Sequence, residues 1–166
     1  MIWRLSYRAR QLRRTLAPGI TTDDLREAQS VLGGDLYALF AAMQPADQRH
    51  CLDVHRQLRS EGEDDPDVLV AALIHDAGKG GDAARRIRTW HRVAYVVLGT
   101  LPPGALDRIV RGDGGLAHLH RHGEATLRLV RRAGASERIV RLLEVMEARR
   151  GGNPRAARLL AADDAC

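Results

Sequence analysis

The chain predicts an all-α fold, and three observations carry the prediction. Its punctuation is that of helices: Thr21 or Thr22, Asp65, Ser136 and Asn153 stand as caps at the heads of apolar-periodic segments, with Pro66 and Pro154 at first helical positions, where a missing N–H costs nothing. Glycines close segments of the same kind at Gly62, Gly134 and Gly151. No Asn-Gly hairpin, alternating strand or internal repeat occurs along the 166 residues, a length that fits one domain, and 45% hydrophobic residues are enough to build its core.

Residues 1–35 read as a basic amphipathic helical lead-in. Arg4, Arg8, Arg10, Arg13 and Arg14 interleave with Ile2, Trp3, Leu5, Tyr7 and Leu12, as in a helix docked by its apolar side with solvated arginines. Contact with phosphate or a membrane surface is the other reading of that pattern. "TTDDLREA" then opens a helix over about 22–31, with Asp23 and Asp24 against the positive end of its dipole. "DLYALFAAM" runs to Pro45, and "PADQRHCLDVHRQLRSEG" forms a further helix that stops at Gly62. "DDPDVLVAALIHDAGK" follows, capped by Asp65.

Residues 83–101 place Ile87, Trp90, Ala94, Val97, Leu98 and Leu101 at helical spacing, and "RGDGGLAH" at 111–118 reads as a flexible loop. "EATLRLVRRAG", "SERIVRLLEVMEARR" and "NPRAARLLAADDA" supply the remaining helices.

Composition narrows the function classes. The formal charge of +5 favours anions, but 26 basic residues are mixed with 21 acidic ones, which weakens a nucleic-acid reading, and few aromatics are present to stack on bases. The two cysteines, Cys51 and Cys166, form neither a disulfide framework nor a CxxC knuckle, which fits a reducing cytoplasm. No apolar run approaches the ~18 residues of a membrane span, so the expectation is a mature, soluble, cytoplasmic chain with no membrane partner.

Chemistry gathers around "LIHDAGKGG". Seven of the eight residues from Val68 to His75 are apolar, so this helix is expected to be buried nearly all round and to deliver His75 and Asp76 from the core to the edge of a site. His50 has Val54 and Leu58 four and eight residues on and so shares the apolar face of the preceding helix, which a short loop folds back alongside. Asp163 follows Leu159 and Leu160 at i+4 and i+3, which turns a carboxylate inward, with Asp164 as the alternative. His55 is a second candidate on the His50 helix, if that helix is rotated.

Imidazole and carboxylate without thiolate suit one divalent ion of manganese, iron, nickel, cobalt or zinc, and leave positions for water and substrate. Lys79, the sole lysine, follows Gly78 just after His75 and Asp76, either as a solvated loop lysine or as an ammonium beside the site.

The order His50, His75-Asp76 and Asp163, with "HDAGK" at its second element, resembles the HD superfamily of metal-dependent phosphohydrolases over about residues 40–164. "LFAAMQPADQRH" is similar to the lead-in of small stand-alone members, and "HRHGEATLRLVRRAG" to the histidine-bearing segment before their last helices. The resemblance implies a single helical bundle of the HD type in which His50, His75, Asp76 and Asp163 are the metal ligands. His122 would face the substrate or a second metal, with His118, His120 and His91 ranked below it.

No histidine follows His122, which favours one metal over two. The Glu-Asp that follows the dipeptide in alarmone hydrolases is missing, as is the Gly-Tyr-Pro signature of cyclic-dinucleotide phosphodiesterases. The implied activity is hydrolysis of a nucleotide or other small phosphate ester through a metal-activated water, with Asp76 steering that water and Lys79 offsetting charge. The rival is a catalytically silent regulatory module that binds metal or nucleotide without turnover.

Overall fold

The structure, a computed structural model, describes residues 19–81, 87, 89–98, 110, 112, 114–148 and 152–166. The N-terminal arginine cluster and Gly151 lie outside these residues. The described residues form only helices and their connections: α1 (Thr22–Val31), α2 (Gly34–Ala41), α3 (Pro45–Ser60), α4 (Pro66–Ile74), a single 3₁₀ turn (Ala77–Lys79), α5 (Thr89–Leu98), α6 (Gly115–His120), α7 (His122–Arg132), α8 (Glu137–Glu147) and α9 (Pro154–Ala165). No helix among them is long and apolar enough to cross a membrane.

The caps act as their residue types require. Thr21, rather than Thr22, caps α1 in a reciprocal box with Asp24, while Asp65, Ser136 and Asn153 each accept backbone N–H bonds at the heads of α4, α8 and α9. Gly62 and Gly134 follow α3 and α7 in the left-handed conformation, with φ of 80° and 75°.

Helix α4 is the axis of the bundle. It packs against α1, α2, α3, α8 and α9, which is why its sequence is apolar on every side. Val68, Ala71, Ala72, Leu73 and Ile74 are fully buried, the larger ones contributing about 1.5–3 kcal/mol each. Cys51, Leu52, Val54 and Leu58 of α3, Val140 and Leu143 of α8 and Leu159 of α9 close around it.

Two expectations are corrected. The glycine-rich segment is not a loop throughout, because α6 already begins at Gly115, where Gly115, Ala117 and Leu119 become buried. In the 83–101 segment the described helix starts at Thr89, leaving Ile87 buried but outside it; residues 83–86, 88 and 99–101 lie outside the described set. Trp90, which spacing puts on the inward row, is 57% exposed and meets His91 in a tilted arrangement with ring centroids 3.8 Å apart.

Candidate metal centre

Three helices and one turn converge at the C-terminal end of α4. His50 enters from α3, on the row continued by the buried Val54 and Leu58. His75 is the C-cap of α4, and the chain then tightens into the 3₁₀ turn, with Lys79 N–H donating to the Asp76 carbonyl at 2.9 Å. That turn lies against α7 so closely that a Cβ on Gly78 would stand 2.0 Å from the His122 carbonyl oxygen, so only glycine fits. Thr126, buried on α7, receives the Gly78 N–H at 2.8 Å and donates its hydroxyl to the His75 carbonyl at 3.1 Å. Both ends of the turn carrying Asp76 are thereby fixed to the helix that carries His122.

His50, His75 and Asp76 each offer a ligand atom, all within 4.8 Å of one another, a group that could hold a metal ion. Asp163, not Asp164, comes up from α9: its Oδ1 is 2.8 Å from His50 Nε2 and 3.5 Å from His75 Nε2. His75 Nε2 is also 3.8 Å from Asp76 Oδ2. Ligands bound at about 2.0–2.2 Å to one small ion stand about 3–3.5 Å apart, so these separations are of the right order. Asp163 meets the two histidines while lying outside the mutually close group of His50, His75 and Asp76.

The His75 ring carries the most specific signal. Its Nδ1–H donates to the Ala72 carbonyl at 2.8 Å, while its buried Nε2 has no hydrogen-bond partner among the described residues. A backbone acceptor on one ring nitrogen fixes the tautomer and aims the lone pair of the other, the usual support of a ligating histidine. His122 repeats the device: Nδ1–H donates to the Leu119 carbonyl at 2.6 Å, and Nε2 stands 3.5 Å from Asp76 Oδ1. Lys79 Nζ donates to Asp76 Oδ2 at 2.6 Å, so lysine and carboxylate form one unit.

Charge at this point is strongly organised. Burial pushes the Asp76 carboxyl up, but Lys79, His75 and His122 overcome it and hold the group well below the usual carboxylate range. Burial likewise opposes ionisation of Asp163, and the bond to His50 with the nearby His75 ring outweighs it, so this carboxyl is also held low. Burial disfavours the His75 cation, yet the Cys51 sulfur and the facing carboxylates hold its pKa well above the ordinary histidine value. Each effect describes a point that favours positive charge between two carboxylates, a charge that a proton on His75 supplies and that a bound cation would supply in its place.

The other candidates lie outside the group of His50, His75 and Asp76. His55 is buried, with Nδ1 3.2 Å from the Leu69 carbonyl, and burial lowers its pKa, as for a structural core histidine. His118 and His120 lie on α6, where His120 Nδ1 is 3.3 Å from the Tyr95 hydroxyl, and His91 meets Trp90. Two residues that spacing does not announce belong to the surroundings of the site. Cys51 places its buried sulfur 3.7 Å from His75 Nδ1, and Thr126 holds the turn that carries Asp76. The available signal for Thr126 is a polar residue midway between His122 and Val130 on one helical row.

In comparisons with known proteins, no family model, curated protein or solved structure matches this chain.

Proposed function

We propose that the chain is a metal-dependent phosphohydrolase of the kind the HD resemblance implies, acting on a nucleotide or other small phosphate ester. The observation that carries this reading is His75, a buried imidazole with one nitrogen tied to a backbone carbonyl and the other left without a hydrogen bond between two carboxylates. Burying such a nitrogen without a partner is costly, and a cation between it and the carboxylates offsets that cost.

In this reading His50, His75, Asp76 and Asp163 hold one divalent ion. A donor set of imidazole and carboxylate admits manganese, iron, nickel, cobalt or zinc. When bound, the ion supplies Lewis-acid polarisation of a phosphoryl oxygen and a more acidic water.

The remaining work falls to the chain's own groups. Asp76, fixed through Lys79 and the turn, accepts a hydrogen bond from the attacking water and orients it. The Lys79 ammonium lies beside the site and offsets the charge on a phosphate. His122, with Nε2 turned to Asp76, faces the substrate or a second ion. The small helical domain favours a small ester over a polymer, which needs a longer platform.

The test is metal content by elemental mass spectrometry on wild type and on the paired change His75→Ala with Asp76→Ala, followed by a phosphoester panel with the metal found. About one ion per chain in wild type, none in the variant, and hydrolysis lost with the metal support the proposal. Bound metal with no turnover on the panel moves the conclusion to the silent regulatory module. A wild type that takes up none of the five metals after dialysis removes the metal reading.

A further inference from the structure

Asp163 reaches the two histidines from α9, a helix with little apolar surface to fix its own position. Its buried side chains are Ala156, Leu159 and Ala162, two of them single methyl groups, so burial opposes sliding and rotation only weakly. Charge holds its N-terminal end instead. Arg155 Nε lies 2.7 Å from Asp65 Oδ2, Arg158 Nη1 lies 2.8 Å from Glu63 Oε2, and Arg158 Nη2 donates to the Glu61 carbonyl at 3.4 Å.

These are not ordinary surface pairs, because the Glu63 and Asp65 side chains are only 5% and 10% exposed. Removing Arg158 strands the desolvated Glu63, which is far worse than losing a solvated pair, whereas Asp65 without Arg155 keeps Arg138. Glu63 and Asp65 also belong to the connection between α3 and α4, the two helices that bring His50 and His75. On α9, Arg155, Leu159 and Asp163 follow one another at four-residue intervals along one row, with about 12 Å of helical rise from first to last. The helix is therefore a strut with an ionic anchor at one end and a carboxylate for the site at the other.

We infer that Arg155 and Arg158, paired with Asp65 and Glu63, are positioning residues that set where Asp163 stands relative to His50 and His75, so that cation affinity depends on an ion-pair anchor at the far end of α9. The inference rests on the metal reading above and adds a determinant of affinity that touches no ligand. It also makes affinity sensitive to salt, since both arginines are about half exposed and their pairs are partly screened.

The experiment is calorimetric titration of Mn²⁺ into the full chain, as wild type, Arg158→Gln, Arg155→Gln and Arg138→Gln, with thermal unfolding of each. Arg138 pairs with Asp65 at 3.0 Å and Asp67 at 3.1 Å, but from α8, which carries none of His50, His75, Asp76 and Asp163. Arg158→Gln is expected to weaken Mn²⁺ binding about tenfold, within the range for residues that orient ligands. Arg155→Gln should show a smaller loss, and Arg138→Gln should lower stability with affinity unchanged.

Equal affinity in all three variants makes the anchor merely structural and overturns the inference. If Arg158→Gln does not fold, Arg155→Gln against Arg138→Gln decides on the same criterion. A wild type that binds no Mn²⁺ overturns the metal reading and this inference with it. A wild type that binds, with α9 variants that bind equally, overturns the inference alone.

Discussion

Two of the regions that bury carboxylates satisfy them in opposite ways. Asp24, 4% exposed, receives the Thr21 N–H at 2.8 Å, the Thr21 hydroxyl at 2.7 Å, Arg56 Nη2 at 2.7 Å and both terminal nitrogens of Arg49. Arg56 also binds Glu27, so α1 is clamped to α3 by guanidinium forks. At the end of α4, Asp76 and Asp163 face imidazole nitrogens, with one ammonium on Asp76.

A guanidinium keeps its protons under all ordinary conditions and has no lone pair to offer, so the Asp24 cluster is closed. An imidazole whose other nitrogen is tied to a carbonyl offers a lone pair, so the α4 end can take a cation. Burial and charge are common to both regions, and the chemistry of the partner separates site from clamp.

The largest expected effect that sharpens this contrast is Asp163→Asn. The amide keeps the size and loses the charge, so Mn²⁺ affinity should fall at least ~100-fold, or about 2.7 kcal/mol, while urea unfolding moves little. Calorimetric titration and a urea melt on one preparation check both halves. An unchanged affinity confines the centre to His50, His75 and Asp76.

Asp24→Asn should do the reverse: Mn²⁺ affinity unchanged, stability lower by about 2–3 kcal/mol at neutral pH because Arg49 and Arg56 lose their shared acceptor. Burial pushes the Asp24 carboxyl up, but the bonds from Thr21, Arg56 and Arg49 hold it far below the usual carboxylate range. A depressed folded pKa gives stability that is complete above the unfolded value and is lost as pH falls below it toward the folded one. The gap between wild type and Asp24→Asn should therefore be widest near neutrality and close below about pH 4. Urea melts at several pH values test this, and a gap that stays constant into acid means the clamp acts by packing.

What could be read from the sequence follows the range of the interactions. Caps and helix faces are set within four residues, so α1, α4, α8 and α9 are legible from Thr21, Asp65, Ser136 and Asn153. So is the inward turn of His50 and Asp163, from Val54 and Leu58 on one helix and Leu159 on the other. Gly115 illustrates the limit: glycines signalled a loop, but packing of Leu119 and Ala117 makes the segment helical. Which arginine meets which carboxylate is not legible either, since Arg49 and Asp24 are 25 residues apart and Arg158 and Glu63 are brought together only by the docking of α9.

Thr126 is the sharpest case of an illegible contact and gives the smallest predicted effect. Its partners, the Gly78 N–H and the His75 carbonyl, lie 48 and 51 residues earlier, so no local pattern points to them. Thr126→Val keeps the branched shape and deletes both bonds, leaving a buried N–H unpaired at a cost of about 1–2 kcal/mol. Because those bonds hold the turn between His75 and Lys79, Mn²⁺ affinity should also fall, and Thr126→Ser should recover most of both losses. Loss of stability with unchanged affinity would mean that the approach of Gly78 to the His122 carbonyl already fixes the turn. The hydroxyl would then belong with the Asp24 clamp, as a structural bond that happens to lie beside the site.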